Sequence, residues 1–187
     1  MVLLESLELE YGKAIQDYNL PDTISGKNFS NQDLSKDIVV IAFICNHCPY
    51  VLRIIKDFSA LALKTKDQVD WVAISANDPD YREADSPRNM KVFAEENNFS
   101  FPYLFDESQE VAKAFGAVCT PDIFVYKCHP EEGEARRQDP GTSTNSFKLK
   151  YHARFEDLDK AIADLIKADK VSFESLPSAG CSIKWKG

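Results

Sequence analysis

The sequence contains no apolar stretch that approaches the ~20 residues a helix needs to span a bilayer. It has no surplus of positive charge either. The 22 Lys and Arg residues against 30 Asp and Glu residues give a formal charge of −8, which argues against nucleic acid or an anionic membrane surface as a partner. The first eight residues, Met-Val-Leu-Leu-Glu-Ser-Leu-Glu, include no basic segment and no clear cleavage site. We therefore expect no signal peptide and a cytoplasmic location.

Paired metal-ligand motifs are also scarce. The chain has five cysteines and three histidines, and it contains a single Cys-x-x-Cys arrangement. A structural zinc site takes four ligands at suitable spacing, and no second paired motif supplies the other half. We therefore expect no metal and no cofactor. Five cysteines without an export signal suggest a reducing compartment, where a cysteine pair is catalytic or metal-binding before it is structural.

The most informative segment is Cys-Asn-His-Cys-Pro at residues 45–49. It directly follows Ile38–Ile44, a run of apolar residues that predicts a strand buried on both faces. After it, apolar residues recur at the spacing of a helix: Val51, Ile54, Ile55, Phe58, Leu61 and Ala62. Two thiols at a strand–helix junction can close a small disulfide, and amides at a helix N-terminus favour the nucleophilic thiolate. The pattern therefore predicts a redox motif.

The rest of the chain alternates between strands and helices. Further strands are predicted at Val69–Ser75, Tyr103–Phe105, Ile123–Tyr126 and Phe147–Ala153, the last able to pair antiparallel with the one before it. Helices are predicted after the motif to about Lys66, from Ser86-Pro87, from Asp106 to Gly116, and around Leu158–Ile166. Residues 17–20 and 28–34 predict a hairpin, and residues 129–145 predict an exposed loop. This order indicates an α/β fold with a central mixed β-sheet and helices on both faces.

Three segments resemble the thioredoxin superfamily, and within it the peroxiredoxin-like branch of the alkyl hydroperoxide reductase/thiol-specific antioxidant (redoxin) family. They are Phe43–Val51, then Phe101–Asp106 continuing through Ala117–Asp122, and the tail Pro177–Lys186. The resemblance covers roughly residues 17 to 187. It implies a thioredoxin-like fold with an N-terminal β-hairpin extension, in one domain over residues 1–187 with a core at about 17–168 and a tail at 169–187.

The resemblance also implies roles for individual residues. Thr120 and Pro121 correspond to a cis peptide that lies against the active-site disulfide, with the residue before the proline pairing with the substrate chain. Cys45 is expected at the exposed edge of the strand–helix turn as the nucleophile, and Cys48 deeper as the resolving thiol. His47 resembles the histidine between the cysteines of strongly oxidising members and would stabilise the Cys45 thiolate. The alternative for His47 is a solvated surface residue.

The sequence departs from the pattern of these families at three positions. Val39 stands where thioredoxins have a buried acid, so the proton of the resolving thiol must go to water or to another group. Pro49 follows the second cysteine, and it disfavours helical geometry at Cys48. Relative to the peroxidase pattern Pro-x-x-x-Thr-x-x-Cys, Ile41 replaces the proline and Cys45 replaces the threonine, so the usual hydroxyl that activates peroxide is missing.

Two other cysteines are candidate redox thiols. Cys119 lies two residues before Pro121, so the fold would bring it close to Cys45; it is either a third redox thiol or a small buried filler. Cys181 lies in the C-terminal tail, which either folds back on the site or is a tethered terminus. Neither choice is settled by the sequence.

Three classes of function remain. The first is a thiol–disulfide oxidoreductase that acts on protein or small-molecule disulfides or exchanges with an external thiol reductant. The second is a peroxiredoxin-like thiol peroxidase with antioxidant activity. The third is a thioredoxin-fold binding or zinc protein without catalysis. The complete Cys-x-x-Cys with its Thr-Pro favours the first, and the missing threonine and proline disfavour the second. The sequence indicates neither the oligomeric state nor the direction of electron flow.

Overall fold

A computed structural model describes residues 3–128 and 147–187. The described strands are β1 Leu3–Glu5, β2 Asn19–Pro21, β3 Asn28–Ser30, β4 Ile38–Phe43, β5 Val69–Ser75, β6 Tyr103–Phe105, β7 Cys119–Thr120, β8 Asp122–Cys128, β9 Phe147–His152 and β10 Ala179–Ser182. The described helices are α1 Pro49–Thr65, α2 Pro87–Glu96, α3 Glu110–Phe115 and α4 Leu158–Lys167. The predicted loop at 129–145 lies outside the described residues.

The central sheet has five strands in the order β6-β5-β4-β8-β9. β4 pairs parallel with β5 and antiparallel with β8, and β9 pairs antiparallel with β8. The predicted antiparallel pairing of the last two strands is therefore confirmed. The sheet is mixed, and β4 lies at its centre with a neighbour on each side.

Helices cover both faces of this sheet, as the alternating order predicts. Every residue of β4 is buried. Val40 and Ala42 face one core cluster, which contains the apolar sides of α1, α2 and α4. Val39 and Ile41 face the other, which contains α3 and apolar residues from the N-terminal segment. Because successive side chains of a strand point to opposite faces, burial on both sides explains the continuous apolar run.

The N-terminal hairpin is confirmed, because β2 pairs antiparallel with β3. It is shorter than its predicted extent, because Ser30 caps a single 3-10 turn at Asn31–Asp33 and ends the strand. The α2 boundary also agrees, with Ser86 as N-cap and Pro87 at the first helical position, although the Ser86 side chain makes no capping hydrogen bond. In α3 the capping is done by Asp106, whose Oδ2 accepts the amide of Ala112 at 2.8 Å.

A second, three-stranded sheet joins the two ends of the chain. Its order is β1-β10-β7, and both pairings are antiparallel. The first residues predict only a short lead-in and the last residues a tail, whereas the structure makes both into strands. The C-terminal strand therefore lies between the N-terminal strand and the Thr120 segment.

No helix among residues 3–128 and 147–187 is long and apolar enough to cross a membrane.

Candidate active site

The candidate redox residues meet where β4 ends, α1 begins and β7 turns into β8. The peptide bond between Thr120 and Pro121 is cis, as the family resemblance implies. The Cys45 sulfur lies 3.3 Å from the hydroxyl of Thr120, and the Cys48 sulfur lies 3.1 Å from its carbonyl oxygen. Four residues that are distant in the sequence, two thiols and the Thr-Pro turn, therefore form one site.

Cys48 is the thiol that this site favours as a thiolate. The residue is the N-cap of α1, which begins at Pro49. The neighbouring Cys45 thiol lowers the pKa of Cys48, burial raises it, and the Cys181 thiol with the amides of Val51 and Cys181 lowers it again. Together these neighbours outweigh burial and hold the pKa of Cys48 well below its ordinary value.

One contact opposes the Cys48 thiolate. The carbonyl oxygen of Thr120, at 3.1 Å, would accept a hydrogen bond from a protonated Cys48 but repels a charged sulfur. The groups that lower the pKa of Cys48 act against this contact, because a buried anion is stabilised by the number of hydrogen bonds that it accepts.

Cys45 has the opposite environment. Its donation to Cys48 raises its pKa, and burial and the nearby charge of Asp85 raise it further. The Thr120 hydroxyl opposes these effects only in part. The directions of the two pKa shifts therefore favour a thiolate on Cys48 and a protonated thiol on Cys45.

This arrangement corrects two expectations from the sequence. Cys45 does not lie at an exposed edge, because neither Cys45 nor Cys48 exposes any surface. Cys48, and not Cys45, is the residue at the N-terminus of α1, because Pro49 disfavours helical geometry at the residue before it and the regular helix starts at Pro49. The assignment of the nucleophile to Cys45 stays a prediction.

His47 is held by an acid that the sequence analysis missed. Its Nδ1 lies 2.6 Å from Oδ2 of Asp85, whose side chain is fully buried. Asp85 also accepts the backbone N–H of Asn46 at 2.9 Å and the Nδ2 donor of Asn77 at 3.0 Å. His47 is thus a partly buried, oriented residue. The sequence did contain a signal for Asp85. It is an acid in the segment after β5, the strand next to β4, and parallel strands end at the same edge of the sheet.

The His47–Asp85 pair provides a proton acceptor, which is missing at the position of Val39. A nitrogen of His47 and an oxygen of Asp85 lie within 4.8 Å of the Cys45 sulfur. They are placed to receive the proton that Cys45 must lose before it can attack a disulfide. The acid at this site therefore comes from the turn before α2.

We expect Asp85→Asn to lower the free energy of unfolding by about 1–3 kcal/mol, because an amide cannot accept from all three buried or partly buried donors. Urea denaturation of the reduced protein measures this loss. Asp67→Asn is the matched control, since Asp67 is exposed, and should change stability by less than about 0.5 kcal/mol. Equal effects of the two substitutions would show that Asp85 does not hold this network.

The same three groups could also surround a metal ion. Among the described residues, Cys45, His47 and Asp85 each offer one ligand atom, and these atoms lie within 4.8 Å of one another. They offer three donors where structural zinc sites take four, and two of them already bond to each other at hydrogen-bond distance. The donor set fits a proton-transfer pair better than a structural zinc site.

The two additional thiols have different surroundings. Cys119 is buried, its nearest hydrogen-bond acceptor is the carbonyl of Pro121 at 3.9 Å, and burial, reinforced by the charge of Asp122, raises its pKa. Cys181 is also buried, but its thiol contacts the Cys48 sulfur. The tail therefore folds back on the site, and the thiol that reaches the pair is Cys181.

A small cavity opens beside Pro121. Its volume is about 170 Å³, and its lining includes Arg53 and Arg154. The Arg53 guanidinium lies over the ring of Tyr50, 5.6 Å from the centroid, and Nε of Arg154 donates to the carbonyl of Pro177 at 2.9 Å. Two cationic groups thus lie within reach of a molecule that approaches the Thr-Pro turn.

Comparisons with known proteins agree with this geometry. A solved structure of an uncharacterized conserved protein from Geobacillus kaustophilus is 34% identical over 100% of this chain and 97% of its own, with a TM-score of 0.87. A hypothetical protein from Sinorhizobium meliloti is 29% identical over 97% and 98% of the two chains, with a TM-score of 0.84. Peroxidoxin BcpB from Mycobacterium tuberculosis is 22% identical over 84% and 94%, with a TM-score of 0.58, and supports the thioredoxin fold.

The search of curated proteins finds no match. The model of the AhpC/TSA family matches residues 11–137, which include the strand–helix thiols and the Thr-Pro turn. The family match supports a redox function, and the thioredoxin-fold neighbours support the fold. With most of its length matched and its fold that of thioredoxin, the chain belongs to the AhpC/TSA family.

Proposed function

We propose that this protein is a thiol–disulfide oxidoreductase that uses Cys45 and Cys48 as a dithiol/disulfide couple. The observation that carries the proposal is the meeting of two buried thiols at the cis Thr-Pro turn, with the Cys45 sulfur 3.3 Å from the Thr120 hydroxyl and the Cys48 sulfur 3.1 Å from the Thr120 carbonyl oxygen. A thiolate beside a protonated partner is the state from which exchange begins.

The reaction has two exchange steps. The Cys48 thiolate attacks one sulfur of a substrate disulfide, a mixed disulfide forms, and the other substrate sulfur leaves as a thiolate and takes a proton. Cys45 then gives its proton to the His47–Asp85 pair and attacks the Cys48 sulfur. The Cys45–Cys48 disulfide forms and the second substrate thiol is released. Two electrons pass from the protein to the substrate, and the reverse sequence oxidises a dithiol.

The surroundings of the site indicate a class of partner. Arg53 and Arg154 border the cavity next to Pro121, and guanidinium groups pair with carboxylates. Disulfides that carry carboxylates, in a protein or in glutathione, fit this entrance. A thiolate stabilised in the reduced state makes the disulfide more oxidising, which favours the direction in which the protein oxidises thiols.

Turnover of a protein disulfide tests the proposal. The purified protein should accelerate insulin reduction by dithiothreitol. Cys128→Ser should retain that rate, because Cys128 lies at the far end of β8 from the Thr-Pro turn. A rate no higher than dithiothreitol alone, together with a stoichiometric metal in the purified protein, would favour the non-catalytic zinc alternative.

A thiol peroxidase is the second candidate, and one observation favours it. Cys48 occupies the place of the peroxidase cysteine in the pattern Pro-x-x-x-Thr-x-x-Cys, and it is the thiolate of this site. Cys45 stands at the threonine position and donates to that sulfur. The arrangement therefore retains a donor, but the donor is a thiol.

We expect hydrogen peroxide to react with the reduced protein well below the ~10⁷ M⁻¹ s⁻¹ of an efficient enzyme. A thiol is a weak hydrogen-bond donor, so it stabilises the departing oxygen poorly, and the Arg53 guanidinium lies over Tyr50. Stopped-flow fluorescence would give the rate constant. A value that approaches this limit would rank peroxidase above disulfide exchange.

A further inference from the structure

The C-terminal strand covers the two active-site thiols. In the three-stranded sheet, β10 lies between β1 and β7, and Cys181 is the register partner of Thr120. Beyond β10, the amide of Ile183 donates to the carbonyl of Val118 at 3.0 Å, and the amide of Lys184 donates to Oδ1 of Asn77 at 2.8 Å. The tail is therefore fixed against the site by backbone bonds on both sides of Cys181.

This pairing brings a third sulfur to Cys48. Cys181 pairs with Thr120, whose carbonyl oxygen lies 3.1 Å from the Cys48 sulfur, and Cys181 exposes only 2% of its surface. Cys48 thus has two thiols in its surroundings, Cys45 from the strand–helix junction and Cys181 from the tail. Burial, together with the neighbouring Cys48, raises the pKa of Cys181 to about 11, so Cys181 must lose a proton when it attacks.

We propose that Cys181 is a third redox-active residue, a second resolving thiol that forms a disulfide with Cys48. The proposal rests on the oxidoreductase function above, in which Cys48 forms the mixed disulfide. The Cys181 sulfur attacks the Cys48 sulfur of that adduct, the Cys48–Cys181 bond forms, and the bond between Cys48 and the substrate sulfur breaks. The substrate sulfur leaves with the electron pair and takes the proton that Cys181 loses.

The product is a covalent link between α1 and the tail. A disulfide between Cys48 and Cys181 would hold β10 over the Thr-Pro turn, whereas a disulfide between Cys45 and Cys48 leaves the strand held only by hydrogen bonds. The protein would then have two oxidised forms, one with a locked tail and one with a tail that can open to admit a substrate.

Gly180 makes this geometry testable. A Cβ at this position would lie 2.0 Å from the carbonyl oxygen of Thr120 and 2.6 Å from its carbonyl carbon. Alanine there must push β10 away from β7 and so move Cys181 from Cys48. Gly187→Ala is a matched control in the same tail, because nothing lies within 4 Å of a Cβ at Gly187.

The decisive experiment exposes the reduced Cys45→Ser variant to glutathione disulfide and follows the products by intact-mass and peptide mass spectrometry. We expect a Cys48–Cys181 disulfide and a glutathione adduct that is short-lived. In Cys45→Ser/Cys181→Ser the adduct on Cys48 should persist at least about tenfold longer, because an internal thiol at contact distance reacts far faster than one from solution.

Each outcome has one meaning. Equal adduct lifetimes in the single and double variants would overturn the role of Cys181 and leave the oxidoreductase function standing. Absence of any adduct on Cys48 in the double variant would overturn the attack by Cys48 and with it this proposal, whereas the oxidoreductase function is tested separately by insulin reduction.

A second comparison uses chains that retain all three thiols. Each variant differs from the natural chain at one glycine. After oxidation, the Gly180→Ala variant should yield less Cys48–Cys181 disulfide than the Gly187→Ala variant. Equal yields would contradict the proposal even if the serine variants failed to fold.

Discussion

Cys48→Ser is expected to abolish mixed-disulfide formation and to lower insulin-reduction activity by at least about 10³-fold, since loss of a nucleophile disables the whole catalytic unit. The reason is that the surroundings of Cys48, the Cys45 thiol first among them, lower its pKa and favour the thiolate. Cys45 keeps its proton beside the buried Asp85. Trapping with glutathione disulfide followed by mass spectrometry measures the first step directly.

The matched variant is Cys45→Ser/Cys181→Ser, which retains Cys48 and lacks both resolving thiols. It should form the mixed disulfide at close to the normal rate and then stop. The reverse pattern, with stable adducts on Cys45 in Cys48→Ser and none in the double variant, would assign the attack to Cys45, as the family resemblance alone implies.

The reduction potential of the pair should change by about 30 mV per pH unit near pH 7, which is the slope of a two-electron couple whose reduced form binds one proton. A pair of ordinary thiols would bind two protons and give about 59 mV per pH unit. The potential falls as the pH rises, because reduction takes up a proton. One proton is expected because the pKa of Cys48 is lowered and that of Cys45 is raised, so that neutral pH lies between them.

Equilibration in glutathione buffers at several pH values gives this slope. A slope near 59 mV would mean that Cys48 keeps its proton and donates it to the carbonyl of Thr120, which lies 3.1 Å from the sulfur. The slope of the potential with pH therefore distinguishes a Cys48 thiolate from a Cys48 thiol that donates to the carbonyl of Thr120.

The sequence is sufficient to predict the central fold, for reasons that particular elements make clear. β5 and β6 match their predicted bounds, because each is a short apolar run with clear breaks on either side. β4 ends one residue earlier than predicted. These elements are specified by local pattern, which a sequence contains in full.

The two ends of the chain could not be predicted in the same way. β1 has three residues and β10 has four, and neither has an apolar alternation that marks a strand. Each exists because the other, together with β7, supplies its hydrogen-bond partners. Pairing between residues nearly 180 positions apart is a property of the tertiary structure.

The candidate site is also predictable from the sequence only in part. The Cys-x-x-Cys motif and the Thr-Pro turn are visible as patterns, and the structure brings them together. The contribution of Asp85 is not visible, because its position near Cys45 depends on how the turn before α2 packs. The effect of Pro49 on the residue before it is visible in the sequence, and α1 does begin at Pro49, which makes Cys48 the N-cap.

The central claim is that Cys45 and Cys48 interconvert between dithiol and disulfide. Equilibration of the purified protein across a range of glutathione potentials, followed by rapid alkylation and mass spectrometry, tests it most directly. We expect a reversible loss of two hydrogen atoms that maps to Cys45 and Cys48, with a midpoint on the oxidising side of the cytosolic glutathione range of about −220 to −320 mV. If Cys48 remains a free thiol at every potential in that range and above it, the redox account is contradicted.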